Sequence, residues 1–350
     1  MISRLLLTPT LWILWIVRLV ISTDRRMYML LSVPSLQGLL ASIGKMRAHA
    51  VYVKARALCP AYQKFLVAEG YGENGSWKLG RLPVMTKENY VRKYSIEERC
   101  YNGRIPLAGV VIDESSGSSG VPNNWVRSAE EREDVKHILQ LNYQLIYRDT
   151  GCILLNCFAL GPWATGMNVS MSLVDVGILK SIGPDQKKLE NTLIMFGPAY
   201  RYLVFGYPPF IKSFVDNTTQ DLKQYRMDVI VGGEGISESL RSYLLRYFQS
   251  VISSYGASDL EINIGVETAF TIALRRLCLK DRDLCERLFG REAAPMIFQY
   301  NALDYIIETN DEGELIFTIG RQTSAAPKLR YNLKDSGGVY SHRELKSLLQ

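Results

Sequence analysis

From residue 105 onward the chain alternates short apolar runs with helix-length amphipathic segments, and this rhythm limits the possible folds more than any other feature. GVVID (109–113), YLVFGY (202–207), MDVIVG (227–232) and VISSYG (251–256) read as short strands, and CILLNCFAL (152–160) as a buried strand. Between them lie helical patterns. One is opened by a Ser128–Glu131 capping box and runs to about Arg148, with an apolar face of Val135, Ile138, Leu139, Leu145 and Ile146. Others span 185–196, follow a cap at Ser237, and span 267–279. Short apolar strands separated by helices predict βαβ units and a mainly parallel sheet flanked by helices. Near the end, DYIIET (304–309), the turn NDEG and ELIFTI (314–319) predict an antiparallel hairpin, so the fold class is α/β with a β-rich appendage. Upstream, 46–70 is helical with an interruption at Pro60, and Thr86 is placed to cap the next helix.

The sequence has 350 residues, 47% of them hydrophobic and 22% charged, which excludes a disordered, collagen-like or disulfide-framework chain. The net charge of +6 is mild for this length, and no basic stripe interleaved with aromatics points to nucleic acid. Cys59, Cys100, Cys152, Cys157, Cys278 and Cys285 include no CxxC pair, and His49, His137 and His342 lie far apart. That pattern argues against a zinc knuckle and a Ser-His-Asp triad, and for reduced thiols in a cytoplasmic protein.

Residues 5–17 are uncharged and mostly apolar, and Arg18 follows. Thirteen residues fall short of the roughly 20 a spanning helix needs. Three readings stay open: a core or capping helix, an interfacial helix with Trp12 and Trp15 at headgroup depth, and an anchor that tolerates Arg18. On the second, residues 1–22 meet a membrane surface and the protein is peripheral. The expected organisation is a hydrophobic segment at 1–30, a main domain at 31–335 and a short C-terminal stub at 336–350.

Four loops carry residues suited to chemistry. Ser115, Ser116, Gly117, Ser118, Ser119 and Gly120 follow the first strand; glycines let backbone N–H groups converge and serines add donors, a nest that suits phosphate. The alternative is a plain Ser/Gly surface loop. The segment is no Walker A loop, because the Gly-Lys-Ser/Thr ending is absent. Gly233, Glu234 and Gly235 follow the third strand of the parallel set and let backbone approach a flat ring. Tyr255, Gly256 and Asp259 place an aromatic face, a hinge and a carboxylate within five residues, and a carboxylate beside phosphates is what Mg²⁺ takes. Arg330, Tyr331 and Asp335 make an RYxxxD segment whose acid could accept ribose hydroxyls.

The order of these four motifs resembles the adenylate-forming (AMP-binding) superfamily, and within it the phenylacetate–coenzyme A ligase-like branch. The phosphate loop of that branch reads like SSGTTGKP, its adenine segment like GAEP, its aromatic turn like YGxxE and its ribose segment like RYRTxD. The resemblance covers roughly residues 50–340 and implies the N-terminal large domain of an adenylate-forming enzyme. It also implies ATP-dependent formation of an acyl-adenylate from a small carboxylic acid, then transfer to coenzyme A or another thiol. Residues 115–120 would hold the phosphates, Asp259 the Mg²⁺, Gly233, Glu234, Gly235, Tyr255 and Gly256 the adenine, and Asp335 the ribose. The acyl pocket would lie between the strand ending at Leu160 and the aromatic turn, with Trp163, Gly166 and Tyr207 as walls. Val121 replaces the family's phosphate-loop lysine, and Asp259 its metal-binding glutamate. The family's small lid domain, which carries a catalytic lysine, follows the RYxxxD segment, and this sequence runs to Gln350. The expectation is therefore a chain without the lid, its catalytic lysine unassigned, with a separate lid domain or a second copy as further partners. The alternative is a nucleotide-binding or scaffold subunit that never turns over.

Overall fold

The computed structural model describes residues 29–72, 77–115, 122–147 and 151–349. Residues 1–28 of the hydrophobic segment read at 1–30, and residues 116–121 with most of the Ser/Gly loop, lie outside them. In chain order come α1 (Gln37–Leu58), α2 (Pro60–Ala68), β1 (Val111–Ser115), β2 (Asn123–Arg127), α3 (Ala129–Tyr147), β3 (Cys152–Asn156) and α4 (Ala164–Leu173). Then follow β4 (Ile178–Ser181), α5 (Gln186–Phe196), β5 (Arg201–Gly206), α6 (Pro208–Asn217), β6 (Arg226–Gly232), α7 (Glu238–Leu244) and β7 (Ser250–Tyr255). The chain closes with β8 (Gly265–Val266), α8 (Ala269–Lys280), α9 (Arg282–Phe289), β9 (Gln299–Tyr300), β10 (Tyr305–Thr309), β11 (Glu314–Ile319), β12 (Tyr331–Ser336) and α10 (His342–Leu349).

The chain divides into two compact units, one of 1–112, 117–134 and 301–350, the other of 113–116 and 135–300. The second unit holds a seven-stranded sheet in the order β4-β3-β5-β6-β7-β8-β9. Its first five strands run parallel and its last two pair antiparallel. All five residues of β3 are buried, as a parallel strand covered on both faces requires. Two apolar clusters form. Ile153, Leu155, Val204, Val229 and Val231 pack with α5, α6 and α7, while Leu154, Phe158, Leu203 and Phe205 pack with α3 and α4.

In the first unit, β10, β11 and β12 form an antiparallel sheet, so the expected hairpin gains a third strand. Thr86 caps the turn Lys87–Val91 in a reciprocal box with Asn89. Arg47 on α1 donates to Asp304 Oδ1 at 2.6 Å and to the Leu303 carbonyl at 2.7 Å, joining segments 257 residues apart. The helix α10 has no buried residue.

Several elements differ from expectation for local reasons. The first strand starts at Val111, not at 109, because Gly109 has φ +68° and cannot continue an extended ladder. The capping box of α3 is only half formed. Ser128 Oγ accepts from the Glu131 N–H at 3.1 Å, but the Glu131 carboxylate turns to Arg127 at 3.1 Å and to the Ala325 N–H at 3.2 Å. Ile146, on the apolar face of α3, is 39% exposed. The helix read at 267–279 begins at Ala269, after a Thr268 cap, because Glu267 is drawn into a buried ion pair. None of the six cysteines forms a disulfide, and all are buried. Among the described residues no helix is long and apolar enough to cross a membrane.

Candidate functional site

The strand order sets the location. β3 connects to β4 on one side and the chain then returns to β5 on the other, so the direction of winding reverses between β3 and β5. In open α/β sheets, ligands bind at such a point, outside the carboxyl ends of the strands. Four strand ends meet there: Phe158 beyond β3, Tyr207 beyond β5, Gly232–Gly233 at β6, and Tyr255–Gly256 at β7. The register pairs Gly232 with Ser254, which sets the glycine turn beside the aromatic turn. Phe158 and Tyr207 pack edge to face with centroids 5.1 Å apart.

Backbone geometry explains the glycines. Gly233 has φ +80°, and a Cβ there would be driven into the Tyr207 ring. A Cβ on Gly256 would lie 2.8 Å from three backbone atoms, Asn263 N, Glu261 O and Ile262 Cα, because the loop after β7 folds back over it. That fold-back is held by the Ala257 N–H on the Glu261 carbonyl at 2.9 Å and by Ser254 Oγ on Asn263 Oδ1 at 3.0 Å, with Asn263 left-handed at φ 59°. Glu234 is exposed on the turn. Burial pushes the Tyr207 hydroxyl pKa up, and the nearby Glu234 charge adds to the shift.

Asp259 lies on the same folded-back loop and is 1% exposed. It is a donor of the right type for a hard cation, which takes one or two carboxylates plus substrate oxygens. Among the described residues no group of three or more His, Cys, Asp or Glu could hold a metal by itself. Ser115, the last residue of β1, is buried, and Ser116, Gly117, Ser118, Ser119 and Gly120 lie outside the described residues. Asp335 is exposed on β12 in the first unit. Nearby, Arg330 takes φ 50° and donates to Glu308 Oε2 at 3.1 Å, while Tyr331 is buried edge-on against Trp125.

Behind Phe158 an apolar cavity opens, with about 770 Å³ of empty space including its mouth. Leu139, Val169, Leu173, Phe205 and Ile230 form its body, and Gly232, Gly233 and Gly256 border it. None of the expected acyl-pocket walls lines it. Trp163 is 37% exposed at the start of α4. Gly166 is packed against the Ala159 carbonyl, where a side chain would clash. Tyr207 stands beside the cavity, against Phe158. The cavity lies between the strand leading to Leu160 and the aromatic turn, and its far wall is α3. Leu139 and Ile146, both on the apolar face read from the sequence, line it.

A buried ion network stands behind the two turns, and the sequence pattern concealed it. Arg241 on α7 is 1% exposed and holds Glu267 through both oxygens at 2.6 and 2.7 Å. Glu267 Oε2 also accepts from the Ser253 N–H of β7 at 2.7 Å. Glu238 pairs with Arg241, Arg275 and Arg276 at 2.8, 3.1 and 2.9 Å. The helix after the glycine turn is thereby tied to the strand that ends in the aromatic turn. Burial raises the Glu267 pKa, and Arg241 opposes the shift.

No family model and no curated protein sequence matches this chain. Solved structures do match in fold. The particular structures are those of 2-hydroxyisobutyryl-CoA ligase. In its thioesterification state, in complex with 2-HIB-AMP and CoA, that ligase aligns with a TM-score of 0.64 at 12% identity, over 83% of this chain and 62% of that one. Its open conformation, also with 2-HIB-AMP and CoA, gives 0.62 at 12% identity over 83% and 68%. Its postadenylation state with 2-HIB-AMP gives 0.60 at 12% identity over 83% and 61%. This chain thus spans roughly two thirds of the ligase's length, and at this identity the likeness is one of fold.

Proposed function

We propose that this chain activates a carboxylic acid with ATP, forming an acyl-adenylate and releasing pyrophosphate, and that a thiol such as coenzyme A then takes the acyl group and releases AMP. The observation that carries the reading is the pairing of two sequence-recognised turns, Gly232–Gly235 and Tyr255–Asp259, on adjacent parallel strands at the carboxyl edge of the sheet. The shared fold supports it: the ligase with that fold is described with an acyl-AMP and CoA.

The chemistry asks for charge control. A carboxylate oxygen must attack an α-phosphorus that is already anionic, so the barrier falls through neutralisation and in-line positioning. On this reading Gly233, Glu234, Gly235, Tyr255 and Gly256 frame the adenine, with backbone able to approach a flat ring at the two glycine positions. The serines and glycines of 115–120 hold the phosphates, and the RYxxxD motif assigns the ribose to Asp335. Asp259 would hold Mg²⁺, which when bound supplies charge neutralisation between phosphate oxygens.

The test is acid-dependent ATP–pyrophosphate exchange with Mg²⁺, run with and without an added lid domain. Exchange is expected with a suitable acid, and the Asp259→Ala variant should lower it about 100-fold or more. ATP binding without exchange in either format would move the chain to the class of non-catalytic nucleotide-binding subunits.

A further inference from the structure

The structure assigns a substrate class: monocarboxylic acids with an uncharged apolar tail, seated in the cavity behind Phe158. The assignment rests on the acid-activating reading for the carboxylate end, and on the cavity alone for the tail.

The lining carries no charged side chain. Its polar groups are few: the amides of Asn142 and Asn263, the hydroxyls of Tyr143, Thr165 and Ser254, and backbone at the glycines. Three of these already have partners inside the protein, Ser254 and Asn263 with each other and Tyr143 with Cys152. A second carboxylate or an ammonium on the tail would be stripped of water and offered no counter-ion, a large penalty. An uncharged tail instead gains contact with Leu139, Phe158, Val169, Leu173, Phe205 and Ile230. The enclosed part of the cavity is about 80 Å³, smaller than the dry apolar cavity of about 150 Å³ that admits benzene, so the lining and not the size sets the tail class. Gly232, Gly233 and Gly256 border the cavity, so the tail site is continuous with both turns assigned to the nucleotide. The carboxylate end of a seated tail would therefore emerge beside those turns. The stripe Leu139, Asn142, Tyr143 and Ile146 repeats at three and four residues along α3 and forms one wall, with Ile146 at the exposed mouth, 39% accessible.

The experiment is a calorimetric titration of the full chain with octanoate, phenylacetate, butanoate and suberate, without nucleotide, in parallel with pyrophosphate exchange on the same acids. Suberate has the chain length of octanoate and adds only a terminal carboxylate. Octanoate and phenylacetate should bind. Butanoate should bind more weakly than octanoate, by up to about 250-fold at about fourfold per buried methylene. Suberate should bind at least 100-fold more weakly. Ile146→Glu, at an exposed position, should weaken octanoate about tenfold or more, and Thr165→Phe should do the same by filling the cavity, with circular dichroism confirming the fold of each. Equal binding of suberate and octanoate, or no effect of either folded variant, overturns the assignment. Apolar-acid binding without exchange keeps the tail site and removes the ligase reading. Exchange with hydrophilic short acids only does the reverse.

Discussion

At the scale of single residues, Gly233 separates two costs that a glycine turn usually merges. Its φ of +80° makes any side chain strained, and its missing Cβ leaves room for the Tyr207 ring. Gly290 provides the control, because it has φ +63° with nothing within 4 Å of an added Cβ. Gly290→Ala should therefore cost only the left-handed penalty, about 1 kcal/mol. Gly233→Ala should cost more, about 2–3 kcal/mol, and should also displace Tyr207 from Phe158 and weaken ATP binding about tenfold. Thermal melts and nucleotide titrations of the two variants make the comparison; equal losses in both would show that the Tyr207 contact does not constrain the turn. Residues of this kind were legible in the sequence because glycine clusters after strands have few uses. Glu267 was not. An acid just before a helix is the usual composition of a first turn, so nothing marked it as the buried partner of Arg241.

At the scale of elements, the central strands were readable and the marginal ones were not. β3, β5 and the Val229–Val231 part of β6 are apolar runs because both faces are covered, while β7 buries only Val251 and Ser253. β8 and β9 have two residues each, and β4 lies at the sheet edge with exposed ends. Segments that short carry no period, so they exist only through pairing. The link between α7 and β7 was equally hidden, and it sets an element-scale prediction. Glu267→Ala would leave the Arg241 guanidinium buried with Glu238 as its remaining carboxylate, and the Ser253 N–H without its acceptor. Removing one member of a buried pair typically costs about 3–5 kcal/mol, and the surviving Glu238 contact places this case near the lower bound. Glu267→Gln keeps shape and part of the bonding, so its loss should be smaller. A combined Glu267→Leu and Arg241→Met change should recover part of the loss, since apolar replacements of buried ion pairs are often tolerated. Urea unfolding of the four proteins tests the order; a double variant no better than Glu267→Ala would mean that the network supplies more than charge compensation.

At the scale of the whole molecule, the two units differ in how much of them a linear reading could reach. The second unit is almost one stretch, and its parallel strands follow as alternating β and α patterns, so its class was evident. The first unit is assembled from three stretches whose contacts leave no local trace: Lys54 donates to the Gln322 carbonyl at 2.7 Å, and the Met85 N–H to the Arg330 carbonyl at 3.0 Å. Asp304 concentrates that long-range closure. It is 2% exposed, accepts from Arg47 at 2.6 Å and from Asn301 Nδ2 at 3.0 Å, and lies 3.7 Å from the Arg321 guanidinium. Replacing it with Ala would leave two buried guanidiniums short of a counter-charge, a loss of about 3–5 kcal/mol. Because each unit has its own core, that loss should appear as local opening rather than uniform weakening. Hydrogen exchange on Asp304→Ala should show faster exchange along Gln37–Leu58 and across Tyr305–Thr309 and Glu314–Ile319. Amides of β3, β5, β6 and β7 should keep their protection. Equal acceleration in both sets would mean that the chain opens as one cooperative body, and the two units would then be divisions of geometry without separate stability.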